Sequence, residues 1–114
     1  MNTESVAGEG TIGLNEMARK MLEVAKKRDP STSPIKLLKH CATEVVEATE
    51  VFIRTLYCSE DSLYRHREEF ASELADVISC VLIISAHENL DINAALQKCY
   101  KKNLARAEGK GEKK

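Results

Sequence analysis

The chain is 114 residues long, which sets one domain as the expectation and allows roughly two thirds of the unfolded surface to be buried. Its 17 lysines and arginines against 18 acids leave a net charge of -1, and it has no Trp, two Phe and three Tyr. The chain therefore carries neither a basic field nor an aromatic platform for nucleic acid, and 43% hydrophobic against 31% charged residues mark an ordered soluble protein.

Residues 1–13 carry Gly8, Gly10 and Gly13 with no apolar core, so they are expected to be a flexible N-terminal segment and not a signal peptide. Gly8-Glu9-Gly10-Thr11-Ile12-Gly13 matches GxGxxG, but no strand precedes it and no βαβ unit follows, so the match is read as accidental. Leu14, Met17, Ala18, Met21, Leu22 and Ala25 form one apolar stripe, predicting a helix over about 14–28 that ends in Lys26, Lys27 and Arg28. The turn-rich DPSTSP of 29–34 breaks it.

Between Ile35 and Tyr57 the apolar positions 38, 41, 42, 45, 49, 52, 53 and 56 keep helical spacing, with Val46 and Ala48 widening the stripe, which predicts a second, longer and largely buried helix with Glu50 and Arg54 paired at i, i+4. A third helix is expected over about 63–88, capped by Asp61 or Ser62. Its second half, VISCVLIISA, is apolar all round and calls for neighbours on every side, which a second copy supplies better than one small chain. Asp91 can cap a fourth helix over 92 to about 107, with Ile92, Ala95, Leu96, Cys99 and Tyr100 inward, before a solvated tail at 108–114.

No period-2 strand pattern or internal repeat occurs. The fold class is all-α, an antiparallel helical bundle of about four helices in a single domain over 14–107, completed by homo-oligomerisation. Cys41, Cys58, Cys80 and Cys99 form no CxxC pair and no zinc-spaced cluster, so they read as reduced thiols. The longest apolar run, Val77 to Ala86, is about half the length that crosses a bilayer. A cytoplasmic protein with no membrane or nucleic-acid partner is expected.

Acids placed inside apolar stretches are the chemical signal. Glu44 and Glu47 are the only charged residues between Cys41 and Thr49, and Asp76, with Glu73 just before it, is the only one between Leu74 and Ala86. Residues three apart on a helix point the same way, so Glu44-x-x-Glu47 and Glu73-x-x-Asp76 each present two carboxylates on one face. If the two helices pack antiparallel across their short connector, both pairs come to the same level. Four carboxylates in a semi-buried seam repel unless a cation neutralises them, and all-oxygen ligation suits Mg²⁺ or Mn²⁺. A ferritin-like di-iron site needs Glu-x-x-His pairs, which are missing. A carboxylate-held metal commonly grips phosphate, and Lys102, Asn103 and Arg106 near the end of the fourth helix offer donors for it; a solvated basic helix end is the equally open reading. His40 could support Glu44 or simply lie on the surface.

At these residues the sequence resembles the MazG-like all-α nucleoside triphosphate pyrophosphohydrolases, whose pattern is EExxE, about 12 to 28 residues, then ExxD. Here it reads Thr43-Glu44-Val45-Val46-Glu47, 25 residues, then Glu73-Leu74-Ala75-Asp76, with ELADVISCVLIIS and the later KKNLAR also family-like, over about 35–106. Thr43 stands where the family has its first acid. The resemblance implies hydrolysis of a nucleoside triphosphate to the monophosphate and pyrophosphate. It further implies Mg²⁺ held by Glu44, Glu47, Glu73 and Asp76, Glu47 as general base, phosphate held by Lys102, Asn103 and Arg106, and a homodimer or homotetramer. Two alternatives stand beside it: the related phosphoribosyl-ATP pyrophosphohydrolase of histidine biosynthesis, suggested by Ile35-Lys36-Leu37-Leu38-Lys39, and a non-catalytic helical interaction module. Neither the preferred base nor a role for the terminal residues is readable.

Overall fold

The computed structural model describes residues 12–109, so the expectations for residues 1–11 and 110–114, including most of the glycine motif and of the tail, lie outside the described residues. Four helices make up the described chain: α1 Leu14–Arg28, α2 Pro34–Leu56, α3 Glu60–His87 and α4 Ile92–Ala107. No strand occurs among the described residues, and the class is all-α as expected.

Local chemistry sets each boundary. Asp29 closes α1, its N–H donating to the Ala25 carbonyl, and its Oδ1 accepts from both the N–H and the hydroxyl of Ser31, which turns the chain away from the helix. Ser33 caps α2 by accepting from the Lys36 N–H at 3.3 Å, with Pro34 at the first helical position where a missing N–H costs nothing. The third helix starts earlier than expected. Ser59, and not Asp61 or Ser62, is its N-cap residue, because Ser62 N–H already donates to the Ser59 carbonyl; Glu60 and Asp61 therefore sit in the first turn, where the helix dipole favours them. The end of α3 is closed by Asn89 in the left-handed region at φ 55°, with Leu90 N–H reaching the Ser85 carbonyl at 2.8 Å and Asn89 N–H reaching Ala86 at 3.1 Å. Asp91 caps α4 as expected, accepting from Ala94 N–H at 3.0 Å.

Packing follows a chain of neighbours: α3 lies against both α2 and α1, and α4 rests chiefly on α1. Along the α2/α3 seam Phe52 meets Phe70 with ring centroids 5.1 Å apart, and the Arg54 guanidinium meets the Glu69 carboxylate at 3.2 Å. That bond replaces the expected pairing of Arg54 with Glu50. The buried set is small: Ala18, Leu37, Ala48, Val51, Cys80 and Leu82, together with the polar Glu44 and Ser85.

Two expectations about faces are corrected. The buried residues of α2 are Leu37, Glu44, Ala48 and Val51, while Leu38, Val45, Phe52, Ile53 and Leu56 are exposed, so most of the apolar stripe stays open to solvent even where, at Phe52, it touches α3. Second, α4 buries no residue at all, and Leu96, Cys99 and Tyr100 are exposed rather than inward, because α4 packs beside one helix and not into a groove between several. Within one chain, then, Val46, Ile78 and Leu96 remain more than half exposed. The apolar second half of α3, as its composition implies, is only partly covered; with an apolar stretch of 18 residues, longer than the ten-residue run read from the sequence, this helix is by length and composition alone long and apolar enough to cross a membrane.

Candidate metal centre

Helix geometry brings the first two acids together. Glu44 and Glu47 are one turn apart on α2, and the contact of that face with α3 adds Glu73, so that one carboxylate oxygen from each of the three lies within 4.8 Å of the other two. Glu44 is only 8% exposed, Glu73 is half-buried and Glu47 is exposed, giving a cluster that is sealed at one end and open at the other. Asp76, the fourth expected ligand, lies outside this triad and is exposed, though close enough that its charge acts on both Glu44 and Glu73.

The electrostatics are those of crowded acids. The Glu44 carboxyl is held above its ordinary value first by a hydrogen bond with the Glu47 side chain, then by burial and by the charges of Glu47 and Asp76; His40 acts the other way. Glu73 is also raised, chiefly by burial, then by the charges of Glu47, Asp76 and Glu69, with Arg54 opposing. Cys80 lies deeper in the same seam, where burial pushes its thiol up and keeps it neutral.

One atom has no protein partner. Glu73 Oε1 is buried without a hydrogen bond, although a carboxylate oxygen away from water ordinarily finds a donor or a cation. The donor set around it is oxygen only, which fits Mg²⁺ or Mn²⁺ and gives a soft metal nothing to prefer.

The remaining expected site residues are elsewhere. Lys102, Asn103 and Arg106 ride on α4, whose main packing is on α1, whereas the carboxylate cluster stands on α2 and α3. Asn103 Nδ2 points at Cys99 Sγ, 3.6 Å away, and Lys102 lines a groove of about 400 Å³ with Asp91 and Lys98. Two residues that bear on the site escaped the sequence reading. Arg54, one helix over from Glu69, is the cation nearest in effect to Glu73; its spacing to Glu50 hid that role. Asn15 holds the start of α4, and no spacing rule links positions 76 residues apart. Compared with known proteins, the chain matches no family model, no curated protein and no solved structure.

Proposed function

We propose that the chain is a Mg²⁺-dependent nucleoside triphosphate pyrophosphohydrolase of the MazG-like kind. The observation that carries this reading is Glu73 Oε1, buried and without a donor beside Glu44 and Glu47, because like charges gathered around an unsatisfied oxygen are completed by a cation. Bound there, Mg²⁺ supplies charge neutralisation for a triphosphate and an acidified water. Glu44 and Glu73 are the holding groups, since they are the more buried, and Asp76 adds its charge to theirs. Glu47 is exposed and so reaches the substrate side. It takes the proton from the attacking water as the new phosphorus–oxygen bond forms, the anhydride between the α- and β-phosphates breaks, and pyrophosphate leaves.

The working unit in this reading is a homodimer or homotetramer of antiparallel helices. Three features support it: the paired positions 52 with 70 and 54 with 69, the outward apolar faces of α2 and α3, and an α4 that buries nothing in its own chain. Lys102, Asn103 and Arg106 then serve the acids of a second copy and hold phosphate there. A cytoplasmic nucleotide pool is the setting that goes with this chemistry. Phosphoribosyl-ATP is the alternative substrate for the same carboxylates. The exposed apolar faces would equally suit a non-catalytic interaction module, for which the metal is irrelevant.

Pyrophosphate release from a panel of nucleoside triphosphates and phosphoribosyl-ATP decides among them. We expect release that requires Mg²⁺ and falls by about 10²-fold or more in Glu47→Ala. Release from none of the substrates would overturn the hydrolase reading.

A further inference from the structure

α4 has an unusual anchorage for a helix of 16 residues. No residue of it is buried, and its large apolar side chains Leu96, Tyr100 and Leu104 are 51%, 65% and 42% exposed, so hydrophobic packing does little to orient it within the chain. Its first turn, by contrast, is fully bonded. Asp91 accepts from Ala94 N–H at its side chain, 3.0 Å, and from Ala95 N–H at its carbonyl, 3.1 Å. The other two N–H groups, those of Ile92 and Asn93, donate to Oδ1 of Asn15 on α1 at 3.1 and 3.3 Å. Asn15 Nδ2 in turn donates to Asp91 Oδ1 at 2.9 Å. Half of the α4 cap thus comes from another helix.

We propose that the Asn15 side chain is a latch that sets the direction of α4 and thereby places Lys102, Asn103 and Arg106, making Asn15 a positioning residue for the phosphate-holding end. The bonding requires an amide. One group must accept twice and donate once, which a carboxylate cannot do and a hydroxyl is too short to do across two helices. Beside the latch is a cavity of about 230 Å³ bordered by Asn15, Arg19, Asn89 and Asp91, so the joint is held by hydrogen bonds and not by filled space. The lever is long. At 1.5 Å per residue, Lys102 is about 15 Å and Arg106 about 21 Å beyond Ile92, so a tilt of roughly 10° at the joint displaces them by about 2.6 and 3.6 Å. Misplacement of about 1 Å is already enough to spoil a catalytic geometry.

The effect on α4 stands apart from the hydrolase reading, while the effect on catalysis rests on it. In the full chain, amide exchange in Asn15→Leu is expected to rise about tenfold or more at Ile92 and Asn93, with Val51 and Leu82 in α2 and α3 unchanged. Exchange at Ile92 and Asn93 that stays at wild-type rates overturns the latch. If the leucine variant loses protection at Val51 and Leu82 as well, Asn15→Ala, which adds no bulk at the cavity, is judged by the same two amides. For the catalytic effect, KM for the triphosphate should rise severalfold with kcat changed much less, the opposite of Glu47→Ala. An unchanged KM in a variant with loosened amides overturns the service to the site. If the wild type releases no pyrophosphate, the hydrolase reading fails while the exchange rates still decide the latch.

Discussion

Glu44 and Glu73 couple the acid cluster to stability. Both carboxyls are raised above the ordinary 4.5, so the folded state binds their protons more tightly than the unfolded chain does. The stabilisation they give is complete below about pH 4.5 and is lost as pH rises through the raised values. The metal-free protein should therefore melt at progressively lower temperature on going from pH 4.5 towards neutrality, and millimolar Mg²⁺ should reverse that loss by binding the ionised set. Glu73→Gln keeps the shape and removes one charge. At pH 7 without metal it should melt above the wild type, and its response to Mg²⁺ should nearly vanish; a wild type whose melting ignores Mg²⁺ at both ends of the pH range would count against the metal site. Asp91 runs the other way. Hydrogen bonds from Asn15 and then Ala94 hold its carboxylate below the ordinary 3.8, so its contribution is present above that pH and lost as pH falls through the lowered value. The acids were legible from sequence because a charge inside an apolar run is costly and conspicuous. Asp76 shares that signature yet remains exposed, since the exact helix rotation that leaves it outside the triad is a tertiary fact.

At the scale of elements, capping and turn chemistry decided most boundaries, and these were readable within a residue or two: α1 and α4 fall where periodicity places them, and Pro34 opens α2 one residue early. Which face of a helix is used was less legible. α2 has two apolar sides, and counting hydrophobic residues selects the wider one, whereas the positions the fold buries are Leu37, Ala48 and Val51. The closure of α3 at Asn89 offers a clean test of local strain. A β-branched residue there must adopt φ near 55°, so Asn89→Val should cost about 1 to 2 kcal/mol, whereas Asn89→Gly should be tolerated. Thermal denaturation of the two variants checks this. Leu82 is 4% exposed, and its truncation to alanine should cost about 2 to 4 kcal/mol through the cavity left between helices.

On the scale of the whole molecule, α2 and α3 leave Leu38, Val46, Leu56 and Ile78 each more than half exposed, an apolar surface of the kind that partners cover. If the proposed oligomer forms through this face, Val46→Lys and Ile53→Lys, both on the exposed side of α2, should leave helix content unchanged by circular dichroism yet shift sedimentation to the monomer. Unchanged sedimentation in both would remove α2 from the assembly surface. The basic end of α4 was legible as composition but not as location, because the bonds that hold the start of α4 come from Asn15, 76 residues away in sequence from Asp91. The same openness makes the protein its own optical gauge. With no tryptophan to drain their excitation, Tyr57, Tyr64 and Tyr100, exposed at 84%, 75% and 65%, dominate the ultraviolet emission. An aqueous quencher such as iodide reaches all three phenols in a dispersed chain, so any fraction that escapes quenching reports, without a label, whether the proposed assembly covers the end of α2, the start of α3 or the middle of α4.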